Sequence, residues 1–262
     1  MAMTALPGSD HDGAPPHLQR VRLTLGDGAR TTAYVATHPL ASTRVRVERL
    51  PGLTPLGAWC SEHAIDEALV GGFYQRDAGA TFAGSPLGEL WLGGVASESI
   101  AFTAPWQTTR ACVQIAGGQV LIARRDELPA TCAGDLLQAG PLLVRDGAVV
   151  DGDEEGFSAG EAQFDSDITR GRHPRAALGS DGRHLYALAC DGRADDEAGL
   201  TIPELARAMA DLGAHEALNL DGGGSASLVC GGRLRNVPRE AHGLPVPGGR
   251  AIATALVFAR GS

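Results

Sequence analysis

The chain has 262 residues, 44% of them hydrophobic, which is enough for one sizeable domain. A formal net charge of −9 argues against a broad nucleic-acid-binding surface, and no apolar run approaches the length of a membrane span. All 22 basic residues are arginine, which excludes Schiff-base lysine chemistry and any lysine-dependent phosphate loop.

Residues 1–17 are rich in glycine, proline and polar groups and are expected to be disordered. They carry neither the basic nor the apolar region of a secretory signal, so a cytoplasmic location is expected. VRLTL, GDGA and RTTAYVATH then read as a hairpin with a glycine-rich turn, and RVRVERL as a further strand. A short helix is expected near Ser61–Ala68. ACVQIAGGQVLIARR reads as a hairpin about Gly117–Gly118, GPLLVRDGAVV as one turning at Asp146–Gly147, and RAALGSDGRHLYALACDGR as one turning at Asp181–Gly182. Thr201 and Glu204 form a capping box for a helix over Ile202–Gly213, with Ile202, Leu205, Met209 and Leu212 on one face. EALNL is a short buried strand, SASLVCGGRL a strand and hairpin turn, and RAIATALVFAR a last long strand. The sum is an α+β fold: a single domain with a large mixed or antiparallel sheet, several hairpins and few helices.

Five dispersed cysteines without a CxxC pair give no disulfide framework and suit a reducing compartment. Cys112, Cys190 and Cys230 sit in apolar runs and are expected to pack in the core. The eight histidines show no HExxH and no closely spaced pair. There is also no loop of EF-hand type, so neither a metal nor a cofactor is expected.

Four stretches are candidates for chemistry. In NLDGGGS, residues 219–225, three glycines separate Asp221 from Ser225. Glycines there serve either a turn needing positive φ or a backbone that must lie close to a ligand. Asn219 and Asp221 share one face of the strand end. The stretch lacks both the GK[ST] of a nucleotide P-loop and the GxGxxG dinucleotide pattern. TRGRHPRAALG gathers Arg170, Arg172, His173 and Arg175. Such a group suits a phosphate or carboxylate, or is a solvated loop paired with Asp165 and Asp167. Arg175 leads directly into an apolar strand, a position suited to the mouth of a cleft. ALVGGFYQRDAG places Gly71–Gly72 before Phe73–Tyr74. RNVPREAHGLPVPGGR carries Asn236, Glu240 and Arg250.

Together these motifs resemble the phosphodiester glycosidase family, whose bacterial members are often labelled exopolysaccharide-related. The resemblance runs from about Ala64 to the C-terminus, so residues 18–262 are expected to form the family's domain. It is carried by Gly71–Tyr74, Arg172–Ala176, Asp191–Gly192, Gly199–Ala206, Asn219–Ser225, Asn236–Pro238 and Arg250. The sequence departs from the family pattern at Val70, Tyr74, Gln75, Ala176 and Arg239–Glu240, so one wall of the site differs.

The resemblance implies hydrolysis of the glycosyl–phosphate bond of a sugar-1-phosphodiester, releasing sugar and a phosphomonoester. Asp221 is the implied carboxylate facing the sugar or activating water, with Glu240 or Asp191 as second carboxylate. Arg175, helped by His173 and the amides of Gly222, Gly223 and Gly224, is the implied phosphate clamp. Asn219 and Ser225 would orient sugar hydroxyls, and Gly72 and Arg250 would complete the substrate site. A small-molecule sugar phosphate is then the partner. Glycosyl transfer or elimination, or non-catalytic binding of a phosphorylated glycan, are the alternatives.

Overall fold

Hairpins set the architecture. The computed structural model describes residues 1–6, 17–77, 83–150 and 171–261, and there the strands form three main sheets. The largest has eight strands in the spatial order β1 (Ala2–Ala5), β2 (Leu18–Thr24), β3 (Arg30–Pro39), β16 (His184–Cys190), β15 (Ala176–Ser180), β17 (Glu216–Asn219), β13 (Leu142–Arg145), β14 (Ala148–Val149). A second has the order β11 (Gln119–Arg124), β10 (Ala111–Ala116), β12 (Asp135–Gln138), β8 (Leu90–Leu92), β9 (Val95–Ala96). A third has the order β19 (Arg233–Leu234), β18 (Leu228–Cys230), β5 (Ala68–Val70), β20 (Ala251–Arg260), β4 (Thr43–Pro55). β6 (Tyr74–Arg76) and β7 (Gly84–Pro86) form a separate ribbon.

Every strand ladder among the described residues is antiparallel. The expected turns are where the sequence places them. Asp146 and Gly147 both take positive φ, 51° and 75°, between β13 and β14, the geometry that matches strand twist in a two-residue hairpin.

Three helices occur among the described residues: α1 (Leu56–Glu62), α2 (Trp106–Thr109) and α3 (Ile202–Asp211). The capping box of α3 is present, with Thr201 accepting from Glu204 N–H and the Glu204 carboxylate accepting from Thr201 N–H. α1 begins earlier than expected and ends at Glu62. Pro55 supplies its extended N-cap, and Leu56, Trp59 and Cys60 share its buried face. The segment that follows is taken by β5 from Ala68.

The described part of residues 1–17 contains a strand. Ala2–Ala5 pair with Val21–Thr24 as β1, and Leu6 N–H extends the ladder to Arg20 C=O at 2.8 Å. Edge pairing satisfies backbone groups that a coil would leave to water. Residue 170 and the aspartates 165 and 167 lie outside the described residues.

The central strands of the eight-stranded sheet are buried on both faces, and period-two alternation sorts their side chains. Ala177, Leu188, Cys190, Ala33 and Val35 meet Leu205, Ala208 and Met209 of α3. Ala176, Leu178, Leu185 and Ala187 point the other way and share a core with Leu69, Leu228, Ile252 and Leu256 of the third sheet. The five cysteines are buried and unpaired with one another.

Candidate active site

Neighbouring strands bring the candidate residues to one end of the sheets. In register, Ala176 lies opposite Ala189 and Ala177 opposite Asn219. The start of β15 (Arg175), the exit of β16 (Asp191) and the exit of β17 (Asn219, Asp221) are therefore adjacent. The third sheet contributes from its own ends. Gly71 follows β5, Arg250 precedes β20, and Val70 N–H bonds Ser227 C=O at 3.0 Å. Asp221 N–H donates to Gly71 C=O at 3.1 Å, so the two glycine motifs meet at this carboxylate.

Asp221 is 6% exposed. Its Oδ1 accepts Gly222 N–H at 2.8 Å, and the Ser225 hydroxyl lies beside the carboxylate and favours its ionised form. Burial outweighs these and the Arg250 charge, pushing the carboxyl up to about 6. The Ser225 hydroxyl and Asn219 Oδ1 are both buried without a well-formed hydrogen bond, leaving polar capacity beside Asp221.

The glycine run makes a 3₁₀ turn at Gly223–Ser225, with Gly223 at φ 60°. Close neighbours crowd all three glycines, and a Cβ on Gly222 would lie 3.0 Å from the Pro174 carbonyl oxygen. A Cβ on Gly223 would lie 3.3 Å from Arg193 Nη1. One on Gly224 would lie 3.1 Å from both Arg250 Nε and Glu240 Oε1. The turn is therefore bracketed by cations that lie directly on its backbone.

Arg250 and Glu240 form a two-point ion pair, with Nε donating to Oε1 at 2.9 Å and Nη2 donating to Oε2. Arg250 holds the Glu240 carboxyl below its usual range. Arg250 N–H also donates to Gly224 C=O at 2.9 Å, tying this pair to the glycine turn.

Two elements of the expected clamp are arranged differently. The amide of Gly222 is used by Asp221 Oδ1, and that of Gly223 donates to Pro174 C=O at 2.8 Å, so neither points at an external anion. Arg175 is 1% exposed rather than open at a cleft mouth. Its guanidinium donates to Leu200 C=O at 3.0 Å and Gly171 C=O at 3.3 Å, and burial lowers its pKa to about 10. Arg172 pairs with Glu204 and Asp27 on the α3 side.

His173 bridges to Leu200 by a pair of backbone bonds, and its Nδ1 lies 3.3 Å from Arg193 Nη2. Arg193 also donates to Arg239 C=O at 3.0 Å. Asp191 is 5% exposed, accepts Val237 N–H at 2.6 Å, and is pushed by burial up to about 6. Gly72 is buried, its N–H donating to Thr254 Oγ1 at 3.0 Å, so it shapes backbone rather than facing open space.

Four further side chains join the site without a motif that assigns them a role: Arg193, Tyr74, Arg76 and Arg239. Arg193 and Arg76 act on Glu240, Arg239 on Asp191, and Tyr74 is raised by burial and by the Asp221 charge. The only local signal for Arg193 is its place after Asp191–Gly192, where it takes φ 61°.

A family model described as phosphodiester glycosidase matches residues 64–259. The catalytic domain of zebrafish N-acetylglucosamine-1-phosphodiester alpha-N-acetylglucosaminidase, auto-inhibited by its pro-peptide, aligns with a TM-score of 0.65 at 21% identity. That alignment covers 98% of this chain and 88% of the zebrafish one. A hypothetical protein from Synechocystis aligns at 0.60 and 18% identity, over 94% of this chain and 64% of its own. A putative exported protein from Burkholderia pseudomallei aligns at 0.60 and 15% identity, over 88% and 74%. At these identities the likeness is one of fold. Among curated proteins no relative matches the sequence.

Proposed function

The chain belongs to the phosphodiester glycosidase family, and from that premise we propose that it hydrolyses the glycosyl–phosphate bond of a sugar-1-phosphodiester, releasing free sugar and a phosphomonoester. The observation that carries this reading is Asp221, a carboxyl 6% exposed, pushed up to about 6, at the meeting point of both glycine motifs. A carboxylate with that pKa is suited to take a proton near neutral pH.

In the reaction, water loses a proton to Asp221 as its oxygen attacks the anomeric carbon. The carbon–oxygen bond to phosphate breaks, and its electron pair leaves with the phosphate. Phosphate is already a good leaving group, so the strong general acid of an ordinary glycosidase is dispensable. Arg193, half-buried beside Gly223, and His173, half-buried beside Arg193, are assigned to the phosphate. Arg175 sits behind them as a buried positive charge. Glu240, held ionised by Arg250, supplies a fixed negative charge for the oxocarbenium-like transition state. Asn219 Oδ1 and the Ser225 hydroxyl are assigned to sugar hydroxyls.

Phosphorus NMR of a panel of sugar-1-phosphodiesters in ¹⁸O-labelled water tests this. A phosphomonoester without an ¹⁸O-induced shift of its phosphorus signal is the expected result. Label in the phosphate would mean phosphorus–oxygen cleavage and end the glycosidase reading. Binding without product from any panel member would favour a phosphoglycan binder or an acceptor-dependent transferase.

A further inference from the structure

Four side chains far apart in sequence converge at the opposite end of the sheets. His17 precedes β2, His38 lies near the end of β3, Glu67 precedes β5 and Cys230 ends β18. β5 leads from Glu67 towards Gly71, β18 from the glycine turn to Cys230, and β3 from Thr31 and Thr32, which bond Asp191, to His38. The cluster and the candidate active site therefore occupy opposite strand ends.

We infer that His17, His38 and Glu67 form a binding site for one divalent transition-metal ion of the zinc class, which Cys230 completes as fourth ligand, tying the eight-stranded sheet to the third sheet.

The geometry suits a tetrahedral ion. Ligands at bond lengths of about 2.0–2.3 Å and tetrahedral angles lie about 3.3–3.6 Å apart. His17 Nε2 is 3.2 Å from Glu67 Oε1 and 3.5 Å from Cys230 Sγ. Donor atoms of His17, His38 and Glu67 all lie within 4.8 Å of one another; Cys230 Sγ stands outside that group, beside His17 and Glu67, and joins the ion by a side-chain shift. Two imidazoles, a carboxylate and a thiol favour zinc or cobalt over calcium or magnesium, which prefer oxygen donors.

Two orphaned atoms point the same way. His38 Nε2 and Glu67 Oε2 are buried without well-formed hydrogen bonds, the Cys230 thiol lying beside the Glu67 carboxylate and His38 being 6% exposed. Folded proteins rarely leave such atoms unsatisfied, and the His17–Glu67 contact satisfies neither. The donors are also held in place. His38 stacks on Phe258 with ring centroids 4.4 Å apart and planes 3° from parallel. Glu67 Oε1 accepts Gly231 N–H at 2.9 Å, which orients the carboxylate beside Cys230.

Protonation is consistent with this. Burial lowers His38 to about 4, so its imidazole is neutral at pH 7. Burial and the Glu67 charge keep the Cys230 thiol protonated without a cation. Metal binding would displace that proton to solvent.

The test is a Co²⁺ titration of the full chain after treatment with a chelator. One saturable equivalent should bind, with tetrahedral d–d bands and a sulfur-to-cobalt charge-transfer band, and Zn²⁺ should displace it. Cys230→Ser should lose the charge-transfer band and weaken binding by at least about 10-fold. His17→Ala, at the half-buried rim, should weaken it by about 100-fold. Circular dichroism confirms that each variant is folded. Absence of saturable binding, or equal affinity in wild type and both variants, overturns the site. A charge-transfer band that survives in Cys230→Ser overturns the four-ligand assignment.

Discussion

Asp221 is held ionised near neutral pH at a cost to stability. Its carboxyl titrates near 4 in an unfolded chain and at about 6 in the fold. The folded state binds the proton more tightly, so the associated stability is fully present below about pH 4 and is lost as pH rises through about 6. A rise from near 4 to about 6 corresponds to about 2–3 kcal/mol. Asp221→Asn keeps an oxygen to accept Gly222 N–H but has no charge to desolvate. The variant should be more stable than wild type at pH 7.5 by about 1–3 kcal/mol, while turnover falls at least about 1000-fold. Urea midpoints at pH 5 and pH 7.5 check the first, and phosphorus NMR the second. A variant less stable at pH 7.5 would make Asp221 a structural acceptor for the glycine loop. The same pKa sets the acid limb of kcat/KM: activity should rise with pH through an apparent value near 6. A flat profile between pH 5 and pH 7 would remove Asp221 from the base role.

At the scale of the element, close backbone contact decides which glycines matter. Gly71 takes no left-handed φ, yet a Cβ there would lie 2.5 Å from Thr254 Oγ1 and 2.8 Å from the Thr254 backbone carbonyl. Gly71→Ala should therefore cost about 2–3 kcal/mol and displace the carbonyl that receives Asp221 N–H. Gly26→Ala, with nothing within 4 Å, is the control and should be near neutral. Comparing urea midpoints tests the pair, and equal midpoints would remove the steric account. The elements themselves are largely legible in sequence. α3 is announced by its capping box and by Leu205 and Met209, and the hairpins by glycine-centred turns. These signals are local, so local rules find them. The Arg175 environment is not local. Sequence shows a charge entering an apolar strand, whereas the Leu200 carbonyl that holds its Nε comes from the loop before α3. Arg193 escapes sequence reasoning for the same reason: its place against Gly223 arises only when the exits of β16 and β17 are aligned. The His17, His38, Glu67 and Cys230 cluster has no sequence spacing to read.

The whole molecule is acidic, at −9, yet Arg193, Arg239 and Arg250 gather where the sheets deliver Asp221. Local cations can draw an anionic substrate despite the net charge, because exposed charges beyond about 8–10 Å are screened at physiological salt. For a phosphodiester anion, kcat/KM should then fall severalfold as salt rises from about 20 to 300 mM. Net repulsion by the acidic surface would give the opposite slope. An unchanged or rising kcat/KM would move the phosphate away from these arginines.

The third sheet has a further consequence for how the chain reaches this state. Thr43 lies opposite Arg260, so β4 waits for almost the entire chain before it has a partner. β5 pairs with β20 and β18, which also come late. Closing such long loops precedes any reward from the contacts, and folding slows accordingly. During synthesis, β4 and the apolar β5 emerge early as unpaired strands and stay exposed until β20 leaves the ribosome. That strand thus acts as a late lock, and the time spent before it closes is the interval in which a chaperone matters most.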